Sequence, residues 1–362
     1  MKRKKIDKPL LIAIILMSLI GILMIYSASN IWAEYRFHDA LKFVKNQTLF
    51  FILSLILCIF LSKINPQLLE KHAHKYLSIC FILLILVLIP GIGSVRNGSR
   101  SWFGIGGFGI QPSEFTKIAL IIFVSKYLSK NQKELKNIKK GVFPILLVLM
   151  IFFLLILLEP DFGTAMVIML TLLSLLFISG VQFSFFVKLG FLGILGIGIL
   201  ILIAPYRLER IISFLDPWKD PLGSGFQIIQ SLYAIGPGGL LGQGFLNSRQ
   251  KHFYLPEPQT DFIFSIISEE FGFLGVFIVC FLFFFLFYRS IKISLNQENL
   301  FLKYLSFGLS IGIVIQALLN LCVVTSLIPV TGVTLPFFSY GGSSLLVSMI
   351  SIGILLSISR TH

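Results

Sequence analysis

A carboxylate stands at the mouth of a long apolar run in Tyr254-Leu-Pro-Glu-Pro-Gln-Thr-Asp261-Phe-Ile-Phe. An acid at such a boundary is costly unless it is paired, hydrated or used. Asp261 is the candidate chemical centre of the chain, and the residue itself does not say which chemistry it would do. In a helix opening at this point, Ser265, Ser268 and Glu269 share its face as a polar stripe, while Glu270 points away. The competing reading is an acid favoured by the helix dipole, with Thr260 as the cap. Residue types alone leave the two open.

Other groups invite the same question. In Gln111-Pro-Ser-Glu114-Phe-Thr-Lys117, an acid and a base lie on one helical face, where they can neutralise each other. They form either a structural ion pair or a cavity charge in which Lys117 meets an anion. Glu159-Pro-Asp161-Phe-Gly163 places two acids in a short turn, and turn chemistry accounts for its Pro, Asp and Gly. Between Pro329 and Ser344, Gly, Pro and Ser interrupt apolar sequence, which suits re-entrant backbone or a loop followed by close helix packing. Gly104-Ile-Gly106-Gly-Phe-Gly109 imitates a dinucleotide fingerprint without a preceding strand. Ser248-Arg-Gln-Lys251 imitates a nucleophile motif without its companion elements. The five histidines and four cysteines (Cys58, Cys80, Cys280, Cys322) show no metal-ligand spacing, so no metal site or disulfide framework is expected.

The elements that must position these groups are membrane spans. Hydrophobic residues make up 56% of the chain and charged residues 13%, against roughly 25% charged in soluble domains. We expect an all-α polytopic membrane protein, a single domain over 1–362. It has ten spans at about 10–28, 46–64, 76–92, 112–128, 142–158, 163–180, 184–205, 262–288, 302–328 and 339–358. The first reads as a retained helix, too long for a signal-peptide core. With a cytoplasmic N-terminus, nearly the whole net charge of +14 falls on the cytoplasmic side, as the positive-inside rule requires. Both termini are then cytoplasmic, and the basic run Lys126–Lys140 is a solvated loop near anionic lipid, not a nucleic-acid surface. The extracytoplasmic side receives the loop 91–111 and one large loop, about 206–261, between the seventh and eighth spans. Its apolar residues Phe214, Leu215, Trp218, Phe226 and Tyr233 are expected to anchor it on the outer face.

Taken together, these pieces resemble the SEDS family of bacterial envelope proteins, the FtsW, RodA and SpoVE group. The matching motifs run in order along the chain: Asn97-Gly-Ser-Arg100-Ser-Trp102, Gln111-Pro-Ser-Glu114-x-x-Lys117, Pro160-Asp-Phe-Gly-Thr164 and Arg210-x-x-x-Phe214-Leu-Asp-Pro217-Trp. They continue with Leu255-Pro-Glu-x-x-Thr-Asp261-Phe-Ile-Phe, Glu269-Glu-x-Gly272 and Leu335-Pro-Phe-x-Ser-Tyr-Gly-Gly-Ser-Ser344. Details around Gln230 and Asn247–Lys251 are closer to the septal, FtsW-like branch than to the elongation, RodA-like one. The resemblance implies inverting glycosyl transfer from lipid II on the outer face of the cytoplasmic membrane, with enrichment at the division septum. It also implies Asp261 as the catalytic carboxylate. Glu114, Lys117, Arg100 and Arg210 become candidates to bind the substrate and its pyrophosphate. No tightly bound cofactor is implied, although a divalent cation (Mg or Mn) can assist. A class B penicillin-binding protein and divisome membrane proteins are the implied partners. A lipid II flippase and a non-catalytic scaffold are the rival readings.

Overall fold

A computed structural model describes residues 6–96, 98–104, 109–203, 214–223 and 225–361. It is almost entirely helical. In chain order the helices are α1 (Lys8–Phe37), α2 (Lys42–Leu61), α3 (Gln67–Leu88), α4 (Pro112–Lys130), α5 (Phe143–Leu158), α6 (Phe162–Ile178) and α7 (Phe183–Ile203). A short amphipathic helix α8 (Phe226–Ile235) follows, then α9 (Ile263–Leu295), α10 (Leu300–Val324) and α11 (Gly342–Ile358). One antiparallel hairpin, β1 (Ser94–Arg96) and β2 (Ser99–Trp102), stands between α3 and α4.

Ten of these helices coincide with the ten expected spans, and α8 lies inside the large loop. Among the described residues, six helices are long and apolar enough to cross a membrane by length and composition. The chain is a multi-pass membrane protein. Several helix starts have a local cause. Asp161 accepts from the Thr164 amide at α6, Asn299 accepts from the Phe301 and Leu302 amides at α10, and Pro112 occupies the first turn of α4.

Several ends meet at one face. Asp7 caps α1 and pairs with Arg289 at 2.6 Å, its amide donates to Ser359 Oγ, and Arg360 donates to the Ser62 carbonyl. The termini therefore share a side with the loops of Lys126–Lys140. The other end of the bundle carries Asp261, Asp161 and the hairpin.

Three elements depart from the expected bounds, and α3 is one, starting at Gln67 well before the expected position 76. The first helix continues to Phe37, well past Ala28. The eighth span is interrupted, since Gly272 (φ 59°, ψ −151°) breaks α9. Only glycine adopts that backbone readily. The break frees carbonyls and amides, and loop 238–246 satisfies them. Gln243 and Gly244 donate to the carbonyls of Glu269 and Glu270, while Phe273 and Leu274 donate to those of Gly239 and Leu240. Irregular backbone beside an apolar phase persists only when its polar groups are paired in this way.

The large loop is held differently from expectation. Ile228, Ile229, Ser231 and Ala234 of α8 are buried, and Ser231 Oγ bonds Ser265 Oγ at 2.8 Å and the Val324 carbonyl at 2.7 Å. Leu215, Trp218 and Tyr233 remain exposed, because the face of α8 turned to α9 and α10 carries its smaller apolar residues.

Candidate active site

Asp261 precedes α9 rather than opening it. The N-cap position is Phe262, without a side-chain cap bond, and Thr260 Oγ1 turns back to the Glu257 carbonyl. The helix-cap reading of Asp261 therefore fails. Its backbone is tied down: Asn320 Nδ2 of α10 donates to the Asp261 carbonyl and to the Val333 carbonyl, each at 2.7 Å. Its carboxylate lies over Gly332, with Oδ2 3.8 Å from where a Cβ on that glycine would begin. Among the described residues, none donates a hydrogen bond to that carboxylate. Burial pushes it up to about 7, and the negative charges of Glu257 and Asp161 add to the shift.

Asp161 is the group that sequence reasoning underrated. Its Oδ2 accepts from Gln111 Nε2 at 2.7 Å and from Ser113 Oγ at 3.4 Å, while Oδ1 caps α6. Burial raises its pKa first; Glu114 adds to that rise and Lys117 opposes it. The turn that carries it presses on the segment that supports Asp261. At Gly163 any side chain would strike the Thr331 carbonyl and Val333, so only glycine permits this approach. Two carboxylates on distant parts of the chain thus meet across one strand-like segment. The turn reading of Asp161 was correct but incomplete, since the missing information was which segment the turn touches.

Glu114 and Lys117 form the expected pair, Nζ to Oε2 at 2.7 Å, with both side chains mostly buried. Lys117 also donates to Gln316 Oε1 at 2.7 Å. Gln316 Nε2 continues to the Thr334 carbonyl and to the hydroxyls of Thr334 and Ser344. Lys117 and Gln316 line a cavity of about 30 Å³ between α4, α6, α10 and α11, together with Thr171, Ser348 and Ser351. The pair is both strut and cavity charge. The stretch before α11 is re-entrant. Its Val333, Leu335 and Phe337–Ser339 are buried, with Gln47 donating to the Ser339 carbonyl.

Arg100 sits on β2 opposite Val95, and no acid pairs with it among the described residues. The neighbouring Ser99 hydroxyl donates to the Glu159 carbonyl, which ties the hairpin to the turn carrying Asp161. Arg210 lies outside the described residues. The expected stripe below Asp261 is put to another use. Glu269 accepts from Ser248 Oγ at 2.6 Å and from the Arg249 amide at 2.8 Å. Ser268 bonds its own helix. Glu270 faces α1, where Ser27 Oγ donates to it at 2.5 Å, and Lys251 Nζ stands 3.6 Å away. Ser248 and Lys251 are therefore buried structural residues. No group of three His, Cys, Asp or Glu side chains placed to hold a metal ion occurs among the described residues.

The comparisons with known proteins agree with this architecture. A model of the FtsW/RodA/SpoVE family, described as cell cycle protein, matches residues 8–362. The chain is 50% identical to stage V sporulation protein E of Bacillus subtilis (strain 168), over 99% of each. It is 42% identical to a probable peptidoglycan glycosyltransferase FtsW of Trichlorobacter lovleyi, over 98% of this chain and 93% of that one. Among solved structures it is similar to a chain of a peptidoglycan synthase complex that coordinates polymerization and crosslinking. The TM-score is 0.81, with 29% identity and 98% of each chain covered. The rod shape determining protein RodA of Thermus thermophilus gives a TM-score of 0.72 at 25% identity, over 99% of this chain and 98% of that one.

Proposed function

The chain belongs to the FtsW/RodA/SpoVE family of cell cycle proteins, and from that premise we propose that it is a peptidoglycan glycosyltransferase whose general base is Asp261. Its substrate is lipid II, joined into glycan strands at the extracytoplasmic face of the membrane. Asp261 removes the proton from the acceptor sugar 4-hydroxyl. The oxygen attacks the donor's anomeric carbon with inversion, the bond to phosphate breaks, and undecaprenyl pyrophosphate carries the electron pair away.

The observation that carries this reading is the state of the Asp261 carboxylate. It is fixed through its backbone, receives no hydrogen bond from a described residue, and titrates near the working pH. A base tuned to that range combines ionisation with driving force for proton transfer. The leaving pyrophosphate requires cations. Arg100 suits that role better than Lys117, whose charge is already matched by Glu114. Arg210 completes the set proposed on sequence grounds. The likeness to a chain of a synthase complex supports a class B penicillin-binding protein as partner. Greater identity to SpoVE and FtsW than to RodA supports the septal branch, with divisome proteins as neighbours.

Purified protein with its penicillin-binding partner and labelled lipid II tests the proposal. Asp261→Asn is expected to lower glycan-strand synthesis by about 10²–10⁴-fold, the usual contribution of a general base. The wild-type rate should rise with pH and level off above about 7, as the base loses its proton. Polymer formation that survives Asp261→Asn overturns the assignment. Lipid scrambling by a wild type that makes no polymer would establish the flippase reading instead.

A further inference from the structure

We infer that Asn320 is a positioning residue for the catalytic carboxylate, an inference that rests on the assignment of Asp261 as the base. Asn320 is fully buried in α10. It spends both amide protons at 2.7 Å, one on the carbonyl of Asp261 and one on the carbonyl of Val333. These carbonyls belong to the two segments between which the carboxylate lies, since Asp261 Oδ2 rests over Gly332. A single side chain thus sets the distance between the base and its floor. Only a primary amide gives two donors from one nitrogen in a neutral group of this size.

One helical turn away, Gln316 does the same for the next residue. It donates to the Thr334 carbonyl and hydroxyl while accepting from Lys117. The i, i+4 spacing puts both amides on one face of α10. Asp261 and the Glu114–Lys117 pair are therefore referenced to a common rail: α10 on one side and the 333–334 backbone on the other. Among the described residues, the charged groups turned toward the Asp261 carboxylate are Glu257 from its own loop and Asp161 from the α5–α6 turn. Glu114 and Lys117 act on Asp161 from α4. None of them touches the Asp261 backbone, and that task falls to Asn320.

The isosteric variant Asn320→Asp is the sharpest test. Ionised, the introduced carboxyl has no proton to donate and faces two carbonyl oxygens; protonated, it restores one of the two bonds. With labelled lipid II and the penicillin-binding partner present, N320D should lose on the order of 10²-fold in kcat near pH 7.5, with KM within about threefold. That is the scale of a misplacement of about 1 Å at a reacting group. Its rate relative to wild type should then fall further as the pH is raised, because a carboxyl buried against two carbonyls keeps its proton near pH 7 and ionises only above it. A purely structural role predicts a lower melting temperature with a relative rate that does not change with pH. Asn320→Ser, which keeps one donor in a smaller side chain, reads the same axis if N320D folds poorly. It should lose kcat and keep KM. Wild-type kcat in either folded variant, alongside an inactive D261N, overturns the role of Asn320. Activity retained by D261N itself removes the base assignment instead, so the two failures are distinguishable.

Discussion

At the scale of single residues, the acids of this site owe their properties to what does not reach them. Asp261 receives no donor among the described residues and Asp161 receives three, yet both are shifted upward because burial outweighs the bonds. Glu159 is the extreme case. It is completely buried, neither carboxyl oxygen has a partner among the described residues, and its pKa is pushed up to about 9 by burial and then by Asp161. A carboxyl in that setting is a neutral acid at physiological pH. In the unfolded chain it ionises near 4.5, so between about 4.5 and 9 only the folded state keeps its proton. Stability from this group is therefore full below that window and declines as pH rises through it. Glu159→Gln has no proton to lose in either state. Thermal melts in detergent should show E159Q gaining on wild type from pH 5 to pH 8. Parallel melting curves across that range would mean that Glu159 is ionised in the folded protein.

At the scale of elements, spans were readable because a hydrocarbon core demands about 20 apolar residues, and α4, α5 and α6 match the expected bounds to within two residues. The same signal is silent once a helix leaves the hydrocarbon, which is why α1 runs on through Glu34 and Arg36 unannounced. The break at Gly272 was hidden for another reason. Gly272 stands between two phenylalanines just after Glu269 and Glu270, where a glycine reads equally well as close helix packing, and its partner is a loop more than twenty residues earlier. Gln316 and Asn320 did leave a trace, two amides one turn apart in an otherwise apolar span, but attention to charge passed over them. The loop that leads to Asp261 is stapled to broken α9 by Lys251 and Glu270, both almost wholly buried. Removing one member strands the other. Lys251→Met should destabilise the protein by about 3–5 kcal/mol, the cost of an uncompensated buried charge. K251M/E270Q should recover much of that loss, because the stranded charge is gone. A double-mutant cycle on unfolding midpoints measures the coupling, and simple additivity of the two changes would show the pair to be incidental.

At the scale of the molecule, the proposed activity depends on which end of the bundle faces outward. Asp7, Ser62, Arg289, Ser359 and Arg360 are joined at one end, so both termini share a side whatever the orientation. That end also carries the loop after α4, where Lys130, Lys133, Lys136, Lys139 and Lys140 are accompanied by a single acid, Glu134. Asp261, Asp161 and Glu159 lie at the opposite end, which has no comparable excess of base. By the positive-inside rule the lysine-bearing end is expected in the cytoplasm, and the proposed lipid-borne substrate, polymerised outside the cell, would then meet the acidic end. Single cysteines report the arrangement directly, since all four native thiols lie within helices of the bundle. Lys133→Cys, in the exposed basic loop, should be labelled by a membrane-impermeant maleimide only after cells are permeabilised. Leu222→Cys, in the exposed loop that precedes α8, should be labelled on intact cells. The reverse pattern would put Asp261 in the cytoplasm, where extracytoplasmic strand synthesis by this site is impossible, whatever the geometry of its carboxylate.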